Sequence, residues 1–482
     1  MRPPRVLAIV VATAAFGACA TNPATGKKQL SLVSESQEIQ MGKEAADEVK
    51  QTIGLVDNPG LQDYVNRIGQ DLAHSTERPN LPWSFAVVDD PTPNAFALPG
   101  GYIFVTRGLL TLMRSEAELA TVVGHEIGHV TARHSVQQIS KQQIAQIGLG
   151  VGTILSPQIQ KYGNLLGGGL SLLFLQFSRD NERQADDLGF KYALGRGYTV
   201  SEMANVFRSL GRVSPQGGAI PTFLQTHPSP GQRVQTVTTK VEALPPNGRG
   251  TKLNRDEYLH ALDGVVYGDD PREGFFRGTE FVHPTLKFRF AIPDGWKGQN
   301  TKEAVLAGSA DGNAALQLTT PQAGSAREAA SKFATQQGVT MGEASAQTIN
   351  GVPAVVGKFQ ATSDSGPVGG LAAWLDYGGH TYELLTYTAA NAYPQQEGAF
   401  RKTIESFGPE NDPGVLHVKP KIMSIVSVSN NETLAQFNQR QPSTIPIEEL
   451  AVINEAEGPN TTLPSGSLAK RVTGGSALPS VK

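Results

Sequence analysis

His125-Glu126-Ile127-Gly128-His129 is the stretch of this chain whose residue types and spacing most plainly suggest chemistry. Residues four apart share one face of a helix, so the two imidazoles can direct their nitrogens at one metal ion. Glu126, beside the first histidine, supplies a carboxylate able to take a proton from metal-bound water. Two core histidines satisfied by backbone carbonyls are the bland alternative. Against it, Gly124 and Gly128 lie in the same stretch, and each glycine inside a helix costs roughly 0.5–1 kcal/mol relative to alanine. That cost makes sense where a strand, ligand or substrate backbone must come close. One zinc ion per chain is the expected cofactor.

A catalytic zinc usually holds three protein groups and a water. The position six residues beyond His129 is Ser135, and His134 falls one residue short, so a three-histidine pattern fails. A carboxylate from a second helix is the alternative, and Ser178 to Asp186 is the candidate stretch. Glu182 and Asp186 share a helical face there, so one could bind metal while the other accepts an imidazole N–H. Spacing alone does not choose between them, and such a pair is more often a solvated acidic face.

These side chains need elements to hold them. Ser115 and Glu118 form a capping-box pattern, and Leu119, Val122, Val123, Ile127 and Val130 recur at helical spacing, which predicts a largely buried helix. Ser34 and Gln37 open an earlier amphipathic helix in the same way. Ile103 to Thr106 is a β-type run after a Gly-Gly turn; an edge strand near the metal could pair with an extended polypeptide through main-chain hydrogen bonds. The apolar runs Ile144–Leu155 and Leu165–Phe177 are each shorter than the ~20 residues of a membrane span. They read as a helical hairpin over the active site. His227 stands in a proline-rich loop, where histidines are ordinarily solvent-exposed.

Four motifs in order make the chain recognisable: Asn94 to Tyr102, the His125–His129 segment, Ser178 to Asp186, and Thr226-His227-Pro228 with Arg233 behind it. The combination resembles the HtpX and CAAX-prenyl-protease family of zinc metallopeptidases, in particular its exported, BepA-like lipoprotein branch, over about residues 20–240. The resemblance implies a mainly helical gluzincin-type domain with a small sheet. It also implies that Glu182 is the third zinc ligand after His125 and His129, that Asp186 supports a ligand histidine, and that Asn94, Ala95 and Phe96 bind substrate. His227 would stabilise the oxyanion or occupy the fourth zinc position and hold the enzyme latent. Arg233 would anchor that loop or pair with Asp186. Thr199-Val200 departs from the Asp-Pro common in the family at that turn.

A chain of 482 residues suggests several domains. Arg2 and Arg5, the apolar stretch Val6 to Ala15 and the small residues before Cys19 read as an export signal. Cys19 is the only cysteine, which excludes an intramolecular disulfide, and its place resembles a bacterial lipobox with Phe16 as the departure. The expectation is a signal peptide over 1–18, lipidation of Cys19 and a tether over 19–33. The peptidase domain follows over 34–250. An α+β accessory domain, in part resembling the PsbP type, spans 251–408. Next come a small βααβ unit resembling a LysM module over 415–473 and a disordered tail over 474–482. The fold class is thus α+β and multidomain. Ala20 in place of Asp favours the outer membrane and a periplasm-facing site. A net charge of −3 gives no reason to expect nucleic acid.

The function these readings favour is a zinc-dependent endopeptidase acting on unfolded or misfolded envelope proteins, with Glu126 as general base. Its expected partners are unfolded polypeptides, the membrane through the lipid, and peptidoglycan through the LysM-like unit. The alternative is an envelope chaperone or peptidoglycan-anchored binding protein with a latent zinc site.

Overall fold

In the computed structural model, residues 19–149, 172, 175, 177–213, 227, 230–302, 304–363 and 366–476 are described. The signal segment, most of the apolar hairpin and the end of the tail lie outside them. The chain divides into two units, one of residues up to Gly268 together with Ile422–Thr473, the other of Asp269–Lys421 with the tail.

The first unit is built around the helix that the capping box and apolar spacing predict. That helix, α4 (Glu116–Thr131), starts at Ser115, whose hydroxyl accepts from the Glu118 backbone while the Glu118 carboxylate returns to the Ser115 backbone. It is buried along its whole length. Before it come a hairpin β1–β2 (Cys19–Thr21, Lys28–Leu30), helices α1 (Glu35–Thr52) and α2 (Pro59–Ala73), strands β3 (Ser84–Val88), β4 (Ala95–Leu98) and β5 (Tyr102–Thr106), and the short α3 (Arg107–Leu112). The strands form a sheet of order β3-β5-β4, with β3 and β5 parallel and β4 and β5 antiparallel. β5 is therefore central and β4 forms one edge. After α4 come α5 (His134–Leu149), α6 (Arg179–Gly195), α7 (Glu202–Arg212), α8 (Pro230–Ala243), α9 (Arg255–Ala261) and β6 (Val266–Tyr267). No helix among the described residues is long and apolar enough to cross a membrane.

Three expectations about boundaries differ from the structure. Residues 19–33 are not a loose tether. Asn22 is buried, and its amide donates to Gln29 and to the carbonyl of Ala132, which caps the C-terminal end of α4. Residues 251–268 belong with the first unit, because Tyr258, Leu259, Leu262 and Val265 are buried in its core. The expected separate module at 415–473 is joined there too. Its strands β18 (Lys421–Ser427) and β21 (Leu468–Gly474) form a sheet of order β21-β18-β6, and Met423, Leu450, Ile453 and Val472 enter the core that holds Leu109, Leu110 and Met113. The strand-helix-helix-strand order expected for this segment is present, with β19 (Glu432–Thr433), α13 (Leu434–Arg440), α14 (Ile447–Ile453) and β20 (Thr462–Leu463) inside it.

The second unit holds a seven-stranded antiparallel sheet of order β10-β11-β12-β16-β15-β14-β13 and a smaller one of order β17-β9-β8-β7. Its strands run β7 (Phe275–Arg277), β8 (Glu280–His283), β9 (Phe288–Ala291), β10 (Lys297–Asn300), β11 (Ala304–Gly308), β12 (Ala314–Thr319), β13 (Val339–Ile349), β14 (Val352–Ser363), β15 (Gly366–Tyr377), β16 (His380–Ala389) and β17 (Gly408–Pro409). Helices α10 (Ala326–Ala334), α11 (Tyr393–Glu405) and α12 (Pro413–Leu416) complete it. Leu316 and Leu318 of β12 and Tyr382 and Leu384 of β16 are buried in one core with Phe288 and Phe400, while Trp374 of β15 packs in another with Phe333 and Phe359.

Candidate metal centre

The centre lies where α4 crosses α6, and glycines set how closely the helices approach. A Cβ on Gly189 would stand 2.7 Å from the backbone nitrogen of His125, and one on Gly124 would stand 3.1 Å from the carbonyl oxygen of Gly189. Gly128 meets Ala185 in the same way. The glycines expected to admit a close neighbour thus admit a second helix.

That approach brings Glu182 to the two histidines. Nε2 of His125 and Nε2 of His129 are 3.1 Å apart. The Glu182 carboxylate lies 3.7 Å from the first and 3.5 Å from the second. Nδ1 of His227 is 3.3 Å from Nε2 of His125 and 2.9 Å from Glu182. All four residues are buried, and one donor atom from each lies within 4.8 Å of the others. Ligands about 2.0–2.1 Å from a tetrahedral zinc stand about 3.3 Å from one another, so the donor set and its spacing fit that ion.

The outer partners fix which nitrogen of each ring faces inward. Asp186 Oδ1 lies 2.9 Å from Nδ1 of His125, so that nitrogen carries the proton and Nε2 keeps its lone pair for the centre. Arg233 grips the same carboxylate with Nη2 at 2.6 Å and Nε at 2.9 Å, and its guanidinium stacks 4.0 Å over the Phe207 ring. Burial works to raise the Asp186 pKa, but Arg233 and His125 overcome it and hold the carboxyl ionised, below its usual range.

His129 is served by His134, a role the sequence reading missed. Their Nδ1 atoms are 3.0 Å apart, and Nε2 of His134 lies 3.1 Å from the amide oxygen of Gln184. Burial lowers His134 to about 4, so it is neutral at pH 7. With its proton on Nε2 for Gln184, its Nδ1 accepts from His129 and leaves Nε2 of His129 free for metal. The spacing that excluded His134 as a ligand was the signal for this role, since it starts α5 immediately beyond the turn after α4.

Glu126 is buried, and its Oε1 has no hydrogen-bond partner among the described residues. Burial raises its pKa, against the opposing pull of His227 and His125. Nε2 of His227 lies 3.8 Å from that oxygen. For Glu182, burial also pushes upward, but His227, His125 and Arg233 together hold it below the usual carboxylate range. His227 and Arg233 are therefore both brought to the centre, and neither is a solvent-exposed loop side chain.

Asn94, Ala95 and Phe96 lie at the edge strand. The Asn94 backbone pairs with Thr106, and Ala95 and Phe96 are opposite Val105 and Phe104 in β5. Phe96 stacks on Phe104 at 5.3 Å. β4 packs beside α4, so the edge borders the helix that carries the centre.

Residues 59–241 match peptidase family M48. The mitochondrial metalloendopeptidase OMA1 of Schizosaccharomyces pombe is 30% identical over 242 residues, a match covering 49% of this chain and 69% of that protein. The chain belongs to peptidase family M48. Other relatives are the beta-barrel assembly-enhancing proteases of Yersinia pestis, 28% identical over 52% of this chain and 52% of that one, and of Escherichia coli, 28% identical over 49% and 50%. The chain thus spans about half the length of these bacterial relatives. A solved cyanobacterial PsbP from Synechocystis aligns with 28% of the chain and 94% of its own at 16% identity, with a TM-score of 0.24.

Proposed function

We propose that this protein is a zinc-dependent endopeptidase that hydrolyses peptide bonds of unfolded or misfolded polypeptides in the cell envelope. The observation that carries the reading is the buried Glu126 carboxylate, whose Oε1 accepts no hydrogen bond among the described residues, beside four converging donor atoms. A structural histidine cluster gives no reason to leave that oxygen without a hydrogen bond there.

His125, His129 and Glu182 would hold the zinc, which supplies Lewis acidity toward a carbonyl and an acidified water. Asp186 and His134 keep both imidazoles in the tautomer with Nε2 unprotonated. Glu126 takes the proton of the attacking water at Oε1 and passes it to the leaving amine. Burial raises its basicity for this task. β4, an edge strand among the described residues, offers that edge to an extended substrate segment, which favours chains that have lost their fold. Substrates in the envelope accord with an exported, lipid-anchored chain, periplasm-facing at the outer membrane. Peptidoglycan binding by the LysM-like segment would hold it near the wall.

His227 supports a second reading of the same site. Its Nδ1 lies among the donors rather than beside them, so as a fourth ligand it would fill the position the water needs and keep the enzyme latent. A permanently latent site would return the protein to the chaperone or wall-anchored class.

The test compares wild type with Glu126→Gln on unfolded casein, with and without a chelator. Cleavage by wild type alone, abolished by chelation, with equal zinc content in both proteins, is expected. Equal cleavage by the variant would overturn the peptidase reading, and chelator-insensitive cleavage would overturn the zinc assignment.

A further inference from the structure

Lys470 is a fully buried lysine in β21, more than three hundred residues from the helix that carries the metal centre. Its Nζ donates to the carbonyl of Thr111 at 2.8 Å and to that of Met113. These two carbonyls close α3, and the chain turns there into α4. The next residue, Arg114, reaches back the other way, donating to the carbonyls of Asn454 at 2.8 Å and Leu468 at 3.4 Å.

Asn454 completes the lock. Its amide oxygen accepts from the Lys470 backbone at 2.9 Å, and its amide nitrogen donates to the Lys470 carbonyl at 2.9 Å. Apolar packing surrounds these bonds, with Leu450, Ile453 and Leu468 sharing a core with Leu109, Leu112 and Met113. Around the amine, Arg114 and Arg255 are offset by Glu118 and Glu455. Burial pulls Lys470 down to about 7, and a neutral amine still has two N–H groups for the two carbonyls, so the grip does not require the charge.

We infer that residues 422–473 are an integral part of the peptidase and that Lys470 is a positioning residue for α4, acting through the Thr111 and Met113 carbonyls on the turn from which the helix of His125, Glu126 and His129 begins. The inference rests on the peptidase reading for its consequence, not for its geometry. A helix is stiff, so a shift at Ser115 is carried about 15 Å along the axis to His125 and Glu126. Displacements of about 1 Å at a catalytic group can cost a hundredfold in rate. The segment that resembles a freestanding wall-binding module therefore acts as the buttress of the catalytic helix.

The test uses the full chain. In Lys470→Met the two carbonyls lose their donor while the side chain keeps its length. A fall of about tenfold or more in kcat on unfolded casein is expected, with KM and zinc content unchanged and faster amide hydrogen exchange along residues 116–131. Wild-type kcat together with wild-type exchange in that helix would overturn the inference. Should the variant not fold, a specific protease site placed at Pro413–Gly414 of the otherwise intact chain decides. After cutting, the C-terminal fragment is expected to stay bound through gel filtration. Release of that fragment from a still-folded remainder with unchanged exchange in α4 overturns the inference. Absence of any cleavage by wild type would sink the peptidase reading alone, because exchange and fragment retention are read without turnover.

Discussion

Asp186 Oδ1 lies 2.9 Å from Nδ1 of His125, and both oxygens of that carboxylate are also held by Arg233. One side chain thus links the arginine of α8 to the His125 imidazole of the centre.

An asparagine at 186 keeps the shape but must turn an amide N–H toward either Arg233 or His125, both of which are donors there. Asp186→Asn is expected to weaken zinc binding by about ten- to a hundredfold while leaving the fold intact. Competition with a chelator of known affinity, alongside circular dichroism, measures both. Unchanged affinity would mean that His125 is oriented by something else.

Gly189→Ala tests the helix crossing. The new methyl would stand 2.7 Å from His125 N and 2.9 Å from its Cα, so α4 and α6 must separate. The expected cost is about 1–3 kcal/mol in stability, with zinc affinity falling because Glu182 moves with α6. Urea unfolding and metal titration check the two effects. A neutral result would show that the helices have slack at this point.

His227→Ala removes one donor from the centre and leaves His125, His129 and Glu182. Under the latent reading, basal cleavage of unfolded casein is expected to rise several-fold with zinc retained. Under the oxyanion reading, kcat falls instead. A chelator-controlled rate measurement on the purified variant separates them by sign.

The second unit should show its own pH dependence. Burial lowers His283 to about 4, opposed only weakly by its own backbone hydrogen bonding, while its Nδ1 accepts from the Leu286 N–H. The ordinary value is 6.5. Between these values the unfolded chain takes up a proton that the folded one refuses, so stability is lost as pH falls from about 6.5 toward 4, by at most about 3 kcal/mol. His283→Asn retains an acceptor for Leu286 and is expected to flatten this window. Urea midpoints at pH 7 and pH 5 for both proteins test it, and an equal drop in both would assign the loss to other groups.

The reach of the sequence differs from one element to another. α4 was legible because a capping box, apolar spacing and two histidines four apart all agree on one helix. Glu182 was not separable from Asp186 by spacing, since both lie on one face of α6. Their roles part only in the crossing, which turns Glu182 toward the two Nε2 atoms and Asp186 toward the far side of His125. His134 escaped notice because its part depends on a partner ring and on Gln184 from another helix. In the second unit, β9, β12 and β16 followed buried alternation, whereas β13 is mostly exposed and carries little pattern.

Local patterns by themselves determined the helix, its two histidines on one face and the carboxylate beside them, because those follow from backbone period and capping within a few residues. Resemblance to a family singled out Glu182 as the proposed third ligand. Only the tertiary structure decided that Gly124 and Gly189 face each other, that Asn22 caps the end of the same helix, and that Lys470 bonds the turn at its beginning. These are meetings between segments tens to hundreds of residues apart, set by how buried surfaces and backbone hydrogen bonds close over one core.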